Sequence, residues 1–331
     1  MEKESEYLGE GSYGCVIKPP IACKNKKKLK NTDEKNSVGK IFVRKEMFNK
    51  ELKANKKAIQ IDKTNNYLLT PTSYCNLSLK DLRKTSRTKL CEFKHNENNK
   101  YYQLNMPFGG QTFKDYIKFN MLSIEDLLRL SLNLFESIAL LEKNKMCHQD
   151  IKPDNILVKP NDKAVLIDFT LMSPFDIIYS EINRHRLRYS YYPYPPEYKI
   201  FEYIHFQKCY KYDYCNYVLN TYINDSLSVF TNDRSLRLLF TDEDISNILK
   251  PVIAKMIDRE KKGALIKYIN KYVNKVDIYS LGISLVKMLK YVRYDMKNKK
   301  INELLKNIMH PDLEKRYSAK QAIQDIKTIL K

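Results

Sequence analysis

The sequence predicts an α+β chain that is rich in strands over roughly its first third and mainly helical beyond it. Three observations carry this reading. Glycines 9, 11 and 14 stand in Leu8-Gly-Glu-Gly-Ser-Tyr-Gly-Cys-Val16, which runs on as extended chain to Pro19 and Pro20 rather than into a helix. Ser123 to Glu142 opens on a serine cap with an acid-rich first turn, then repeats apolar residues at helical spacing. Asp150 and Asp168 each follow a short apolar run, which places both on loops leaving strand ends.

Composition bounds the function classes. At 331 residues the chain can bury a sizeable core in one large or two modest domains. Its seven cysteines show no C-x-x-C pair or other ligand spacing and nothing at the front resembles a signal peptide, so a reducing cytoplasmic or nuclear compartment with free thiols is expected. The richest apolar segment, Met121 to Leu141, is broken by Glu125, Asp126, Arg129 and Glu136, which excludes it as a bilayer span. Lysine and arginine number 59 against 39 acids, a net +20 that favours nucleotide, acidic protein, nucleic acid or an anionic surface without choosing among them. No nucleic-acid module accompanies the charge, so a coding bias toward Lys, Asn, Ile and Tyr explains it more simply than a dedicated nucleic-acid site.

The elements follow in order. The glycine segment reads as a β-hairpin, because a dinucleotide fingerprint would need a helix at once and an acid about 20 residues on. Residues 23–37 form a basic connector, and Val38-Gly-Lys-Ile-Phe-Val43 is an apolar strand carrying one lysine, Lys40. Lys45 to Ile61 is helical, with Phe48, Leu52 and Ile59 near one face. After Tyr67-Leu-Leu-Thr70 comes a polar excursion over about 75–99, then a strand from Tyr101 that stops at Met106-Pro-Phe-Gly-Gly110.

The chemistry lies in Met146-Cys-His-Gln-Asp-Ile-Lys-Pro-Asp-Asn-Ile-Leu-Val158, followed by Ala164-Val-Leu-Ile-Asp-Phe-Thr170. Phosphoryl transfer wants a carboxylate to orient the attacking hydroxyl and take its proton. It also wants a cation beside the moving phosphoryl, and an amide oxygen plus a second carboxylate to hold magnesium. Asp150, Lys152, Asn155 and Asp168 supply that set in order. The segment resembles the catalytic core of eukaryotic-type protein kinases, in which H-R-D-x-K-x-x-N precedes D-F-G.

The resemblance spans roughly residues 8 to 325 and implies a bilobal fold, with a small β-rich N-lobe to residue 106, a hinge at 107–110 and a larger helical C-lobe over 111–331. It implies ATP and Mg²⁺ as cofactors and a protein substrate with a serine or threonine acceptor, since Lys152 sits where serine/threonine kinases carry lysine. Asp150 would orient the hydroxyl, Lys152 would neutralise the γ-phosphate, and Asn155 with Asp168 would hold the metal. Gly9, Gly11 and Gly14 would cover the phosphates and Val16 the purine. Lys40 would bind the α/β-phosphates, with Glu51 as its partner and Glu46 as the other candidate. Met106 would be the gatekeeper and Phe108 with Gly109 would line the hinge, where the Pro107 carbonyl and the Gly109 N–H face adenine.

Departures from the pattern carry information as well. Gly39 replaces an apolar residue. Gln149 replaces the arginine that binds an activating phosphate, which implies activity without activation-loop phosphorylation. Thr170 replaces the glycine of D-F-G, read here as limiting backbone freedom. His148 reads as a packing residue against Phe169 rather than as a base. Tyr191-Tyr-Pro-Tyr-Pro-Pro-Glu197 resembles A-P-E, with Arg316 as the partner of Glu197, and Asp277 resembles the aspartate behind the catalytic loop. Residues 198–272 separate these motifs as an expected insertion, either a docking element or a surface embellishment. Together with the basic loop, these features are reminiscent of kinases of large DNA viruses, for which the host cytoplasm or nucleus, or a virion, is the expected place. The competing expectation is a pseudokinase, a nucleotide-binding scaffold without turnover. Oligomeric state leaves no mark in the sequence.

Overall fold

The computed structural model describes residues 6–11, 14–30, 36–84, 88–89, 91, 100–182, 192–211, 239–294 and 298–331. The fold is mixed α+β and falls into two compact units. The first is Met1–Gly110 with Leu157–Asn161 and Val165–Thr170, and the second is Gln111–Ile156, Asp162–Ala164 and Leu171–Lys331.

The first unit is built on an antiparallel sheet of β1 (Glu6–Gly11), β2 (Gly14–Lys18), β3 (Lys27–Lys28), β4 (Ser37–Phe42), β5 (Ser73–Leu77) and β6 (Tyr101–Pro107), in the order β1-β2-β4-β6-β5-β3. Side chains alternate across a strand, so Ile41 and Tyr101 join Cys15, Ile17 and Leu77 on one face, while Phe42, Tyr102 and Leu104 face the other way. There α1 (Lys45–Ile61) packs Phe48 and Leu52 against them. Its buried face is completed by Glu51, Asn55 and Ala58, while Ile59 is only partly buried.

Three expectations are corrected in this unit. The basic connector contributes β3, which pairs Lys27 with Tyr74 at the sheet edge; residues 31–35 lie outside the described set. The excursion expected from residue 75 begins as β5 and the short helix α2 (Leu79–Leu82), capped by Ser78, with 85–87, 90 and 92–99 outside the described residues. The thiols are not all free, because disulfides join Cys15 to Cys91 and Cys23 to Cys75. The partners stand 76 and 52 residues apart, so no local spacing announces them.

Gly39 has a packing reason. A Cβ there would lie 2.6 Å from Gln103 Oε1 and 3.1 Å from Pro20 Cα. The buried Gln103 amide has nowhere to retreat, since Oε1 accepts from the Ile21 N–H and Nε2 donates to the Ile21 and Asn105 oxygens. Gly39→Val is therefore expected to destabilise the fold by about 1–3 kcal/mol, as overpacking does. Chemical denaturation measures it, and a loss below about 0.5 kcal/mol, the range of an ordinary surface change, would refute the account.

The second unit is mainly helical. Between β7 (Gln111–Thr112) and β8 (Met146–Cys147) run α3 (Phe113–Asn120) and α4 (Ile124–Lys143). Ser123 closes a reciprocal capping box with Asp126 at the start of α4, and Leu127, Leu134, Ile138 and Leu141 bury its inner face. Beyond the short strands β9 (Ile156–Val158) and β10 (Ala164–Leu166), of which residues 157–158 and 165–166 belong to the first unit, and β11 (Ser173–Pro174) come α5 (Ile178–Ile182), α6 (Pro196–Phe201), α7 (Asp242–Lys261), α8 (Leu265–Tyr272), α9 (Val276–Met288), α10 (Lys299–Ile308) and α11 (Ala319–Ile329). The segment read as an insertion thus carries α7 and α8, and Glu260 of α7 takes His205 at 3.0 Å and the Lys208 ammonium; residues 212–238 lie outside the described set. Among the described residues no helix is long and apolar enough to cross a membrane.

Candidate active site

In the first unit, the β1–β2 hairpin closes with Gly11 opposite Gly14, and Gly9 sits at a register shift beside Tyr7. Its tip, residues 12–13, lies outside the described set. Gly14 is a close approach, since a Cβ there would fall 2.7 Å from the Ile41 carbonyl oxygen. Val16 pairs with Lys40, and Lys40 with Leu104, so all three share the face that α1 covers.

Lys40 Nζ meets both Glu51 oxygens, at 2.8 and 2.7 Å. The pair is largely buried, with side chains 14% and 5% exposed, which decides for Glu51 over Glu46 as the partner. An interval of 11 residues suffices because α1 starts three residues after β4 and runs back alongside it. Burial pushes the Glu51 carboxyl up, the Lys40 ammonium opposes that rise, and the charge of Asp168 adds to it. Lys40, Glu51 and Asp168 therefore share one field.

Asp168 has a left-handed backbone, φ 61°, and its Oδ1 accepts from Thr170 Oγ1 at 2.7 Å and from the Thr170 N–H at 3.3 Å. At the end of β6, Met106 pairs with Val38, and the Phe108 N–H donates to the Asn36 carbonyl at 2.8 Å. The antiparallel alternation then leaves Pro107, opposite Ser37, at a position where the missing N–H costs no ladder bond and the carbonyl faces away from β4. The Phe108 ring carries the Lys18 ammonium 3.6 Å from its centroid. Leu69 and Leu157 crowd Gly109 so closely that a Cβ would come within 2.6 Å of either, and both are apolar neighbours the sequence reading did not single out.

In the second unit, Asp150 is 5% exposed and its carboxylate is held on two sides. Asn155 Nδ2 donates to Oδ2 at 2.7 Å and to the Asp150 carbonyl at 2.9 Å, while Lys152 Nζ stands 3.2 Å from the carboxylate. His148 is fully buried and its Nδ1 accepts the Asp150 N–H at 3.2 Å, a structural duty.

Helix α9 organises this loop through residues the sequence reading only partly found. Asp277, Ser280 and Ser284 fall at i, i+3 and i+7 on one face. Asp277 accepts the N–H groups of His148 at 2.6 Å and Gln149 at 2.9 Å, Ser280 donates to the Pro193 carbonyl at 2.6 Å, and Ser284 to the Ile151 carbonyl at 3.2 Å. Burial raises the Asp277 carboxyl, while His148 and the two N–H groups counter it.

Gln149 is clasped rather than exposed. Its Nε2 donates to the Leu171 carbonyl at 2.9 Å, and the buried Tyr198 hydroxyl donates to its Oε1 at 3.1 Å. Tyr194 is close enough to Asp150 for burial, and then that charge, to push its phenol up to about 12. The Arg316 guanidinium grips Glu197 by both oxygens, at 2.7 and 2.8 Å, in full burial.

The donor chemistry suits magnesium. In the second unit Asn155 commits its amide nitrogen to Asp150, so the polar atom it turns elsewhere is a carbonyl oxygen, and in the first unit Asp168 offers a carboxylate; each is by itself an oxygen donor of the kind a hard cation takes. Among the described residues there is no cluster of three or more His, Cys, Asp or Glu side chains, and a nucleotide-borne magnesium needs only one or two carboxylates.

The family model "Protein tyrosine and serine/threonine kinase" matches residues 3–209. Over 119 residues the chain is 31% identical to "Calcium-dependent protein kinase 4" of Plasmodium berghei and, equally, of Plasmodium falciparum, covering 34% of this chain and 22% of theirs. It is 38% identical over 65 residues to "Probable serine/threonine-protein kinase cdc7" of Dictyostelium discoideum, covering 19% of this chain and 6% of that one. The match thus spans about a fifth of the Plasmodium proteins' length and less of the other's.

Proposed function

Because the chain belongs to the protein tyrosine and serine/threonine kinase family, we propose that it transfers the γ-phosphoryl group of ATP to serine or threonine hydroxyls of protein substrates. The observation that carries this is the Asp150 carboxylate, buried yet fixed by Lys152 and Asn155, an acceptor with its orientation already set. In the reaction the substrate hydroxyl oxygen forms a bond to Pγ, the bond from Pγ to the β,γ-bridging oxygen breaks, ADP leaves, and the hydroxyl proton passes to Asp150. Lys152 then neutralises charge on the moving phosphoryl, and Lys40, steadied by Glu51, anchors the α/β-phosphates. Magnesium, offered oxygens by Asn155 and Asp168, supplies charge neutralisation at the phosphates when bound.

Regulation follows from Gln149. A neutral amide already bonded to Leu171 and Tyr198 has no charge to offer a phosphate, so the catalytic loop keeps its place without one. The test is protein made in bacteria, stripped with phosphatase, and given labelled ATP and a generic basic protein, with Asp168→Asn as the blank. Transfer by the stripped wild type is expected. No transfer before or after stripping, with nucleotide binding intact, would make the chain a pseudokinase, and transfer abolished by stripping alone would refute phosphate independence.

A further inference from the structure

We infer that the Thr170 hydroxyl is a positioning group that aims the Asp168 carboxylate at magnesium, taking over by a side-chain bond what a glycine at this place could not supply. The inference rests on the kinase reading and concerns how strongly the metal is held. Three features of the geometry carry it. The Thr170 Oγ1–Oδ1 distance of 2.7 Å is that of a hydroxyl donating to an ionised carboxylate, which is about twice as strong as a neutral hydrogen bond. Threonine is β-branched and stiff about its first side-chain torsion, so the hydroxyl is itself held in place. The Asp168 backbone lies at φ 61°, a region a non-glycine residue adopts chiefly when its short polar side chain is bonded locally, and Thr170 N–H and Oγ1 provide that local bonding.

A glycine would keep the N–H contact, the longer of the two at 3.3 Å, and lose the hydroxyl. The carboxylate would then rotate about its terminal torsion, which is soft, and a rotated carboxylate meets the cation less well. Orienting partners of metal ligands commonly govern affinity in this way. Thr170 acts through Asp168, to which both its N–H and its hydroxyl are bonded.

The variants separate the hydroxyl from backbone stiffening. Thr170→Val keeps the branched shape and loses the donor, and Thr170→Ser keeps the donor and loses the methyl. ATP binding to each purified variant, titrated with Mg²⁺ by calorimetry, gives the half-saturating metal concentration without any turnover; thermal unfolding without ligand checks the fold. Thr170→Val is expected to raise that concentration about 10-fold, with kcat at saturating Mg²⁺ little changed, and Thr170→Ser to stay within about 2-fold of wild type. Thr170→Val matching wild type, or Thr170→Ser failing as badly as Thr170→Val, overturns the inference and leaves the kinase reading standing. A wild-type chain that binds no ATP with Mg²⁺ overturns both.

Discussion

Asparagine at position 150 is expected to slow phosphoryl transfer by about 10²–10⁴-fold, the range a positioned general base contributes. The substitution is nearly isosteric, so the Asn155 donation to the residue's backbone oxygen survives and one side-chain oxygen stays in place to receive the other bond. What is lost is the negative charge that Lys152 faces at 3.2 Å and the lone pair that would take the hydroxyl proton. Lys40 and Glu51, the proposed phosphate anchors, lie in the first unit and keep their own bond. Binding of ATP should therefore stay near the wild-type value while kcat falls. Rates measured at saturating ATP and substrate, beside nucleotide affinity by calorimetry, decide it. A variant with undiminished kcat would remove Asp150 from the mechanism, and one that loses nucleotide affinity in step with kcat would give it a structural part instead.

What was legible in the sequence was whatever the chain keeps close along its own length. Asp150, Lys152 and Asn155 lie within six residues, so their spacing alone forces them onto one loop, and the structure joins all three by hydrogen bonds. Ser123 and Asp126 were readable for the same reason, as a box closed over three residues. Lys40 and Glu51 lie at the limit of that range: a strand and a helix with a short turn between them make the pairing geometrically natural, yet Glu46 satisfied the spacing too, and only the rotation of α1 decides. The α+β division followed from periodicity, which a strand-rich front and a helical remainder write plainly.

What was not legible depends on distant partners. Gly39 looked like a weak departure until Gln103, 64 residues on, proved to lie across it. The four disulfide cysteines carry no local signature because their partners lie 76 and 52 residues away along the chain. Gln149 is legible only by the charge it lacks, whereas its bonds to Tyr198 and Leu171 follow from neither residue alone. Ser280 and Ser284 do leave a trace, since the three- and seven-residue steps from Asp277 put them on its helical face.

Arg316→Ala is expected to cost about 3–5 kcal/mol of folding stability, because it strands the buried Glu197 carboxylate without its partner. The side chains are 0% and 1% exposed, and the guanidinium spends four contacts here: two on Glu197, one on the His310 carbonyl at 2.9 Å and one on the Lys275 carbonyl at 3.3 Å. The loss is therefore a charge left dry together with carbonyls left bare, a much larger effect than an exposed ion pair could show. Against a typical total of about 5–15 kcal/mol, such a change threatens the second unit's integrity at physiological temperature. The same reasoning predicts that removing both charges is kinder than removing one. Glu197→Gln with Arg316→Met keeps volume and leaves no ion unpaired, so the double variant should be more stable than Arg316→Ala. Denaturant unfolding of the three proteins measures the ordering. If Arg316→Ala costs under about 1 kcal/mol, the value of a solvent-screened pair, or if the double variant is the least stable, the buried-charge account fails.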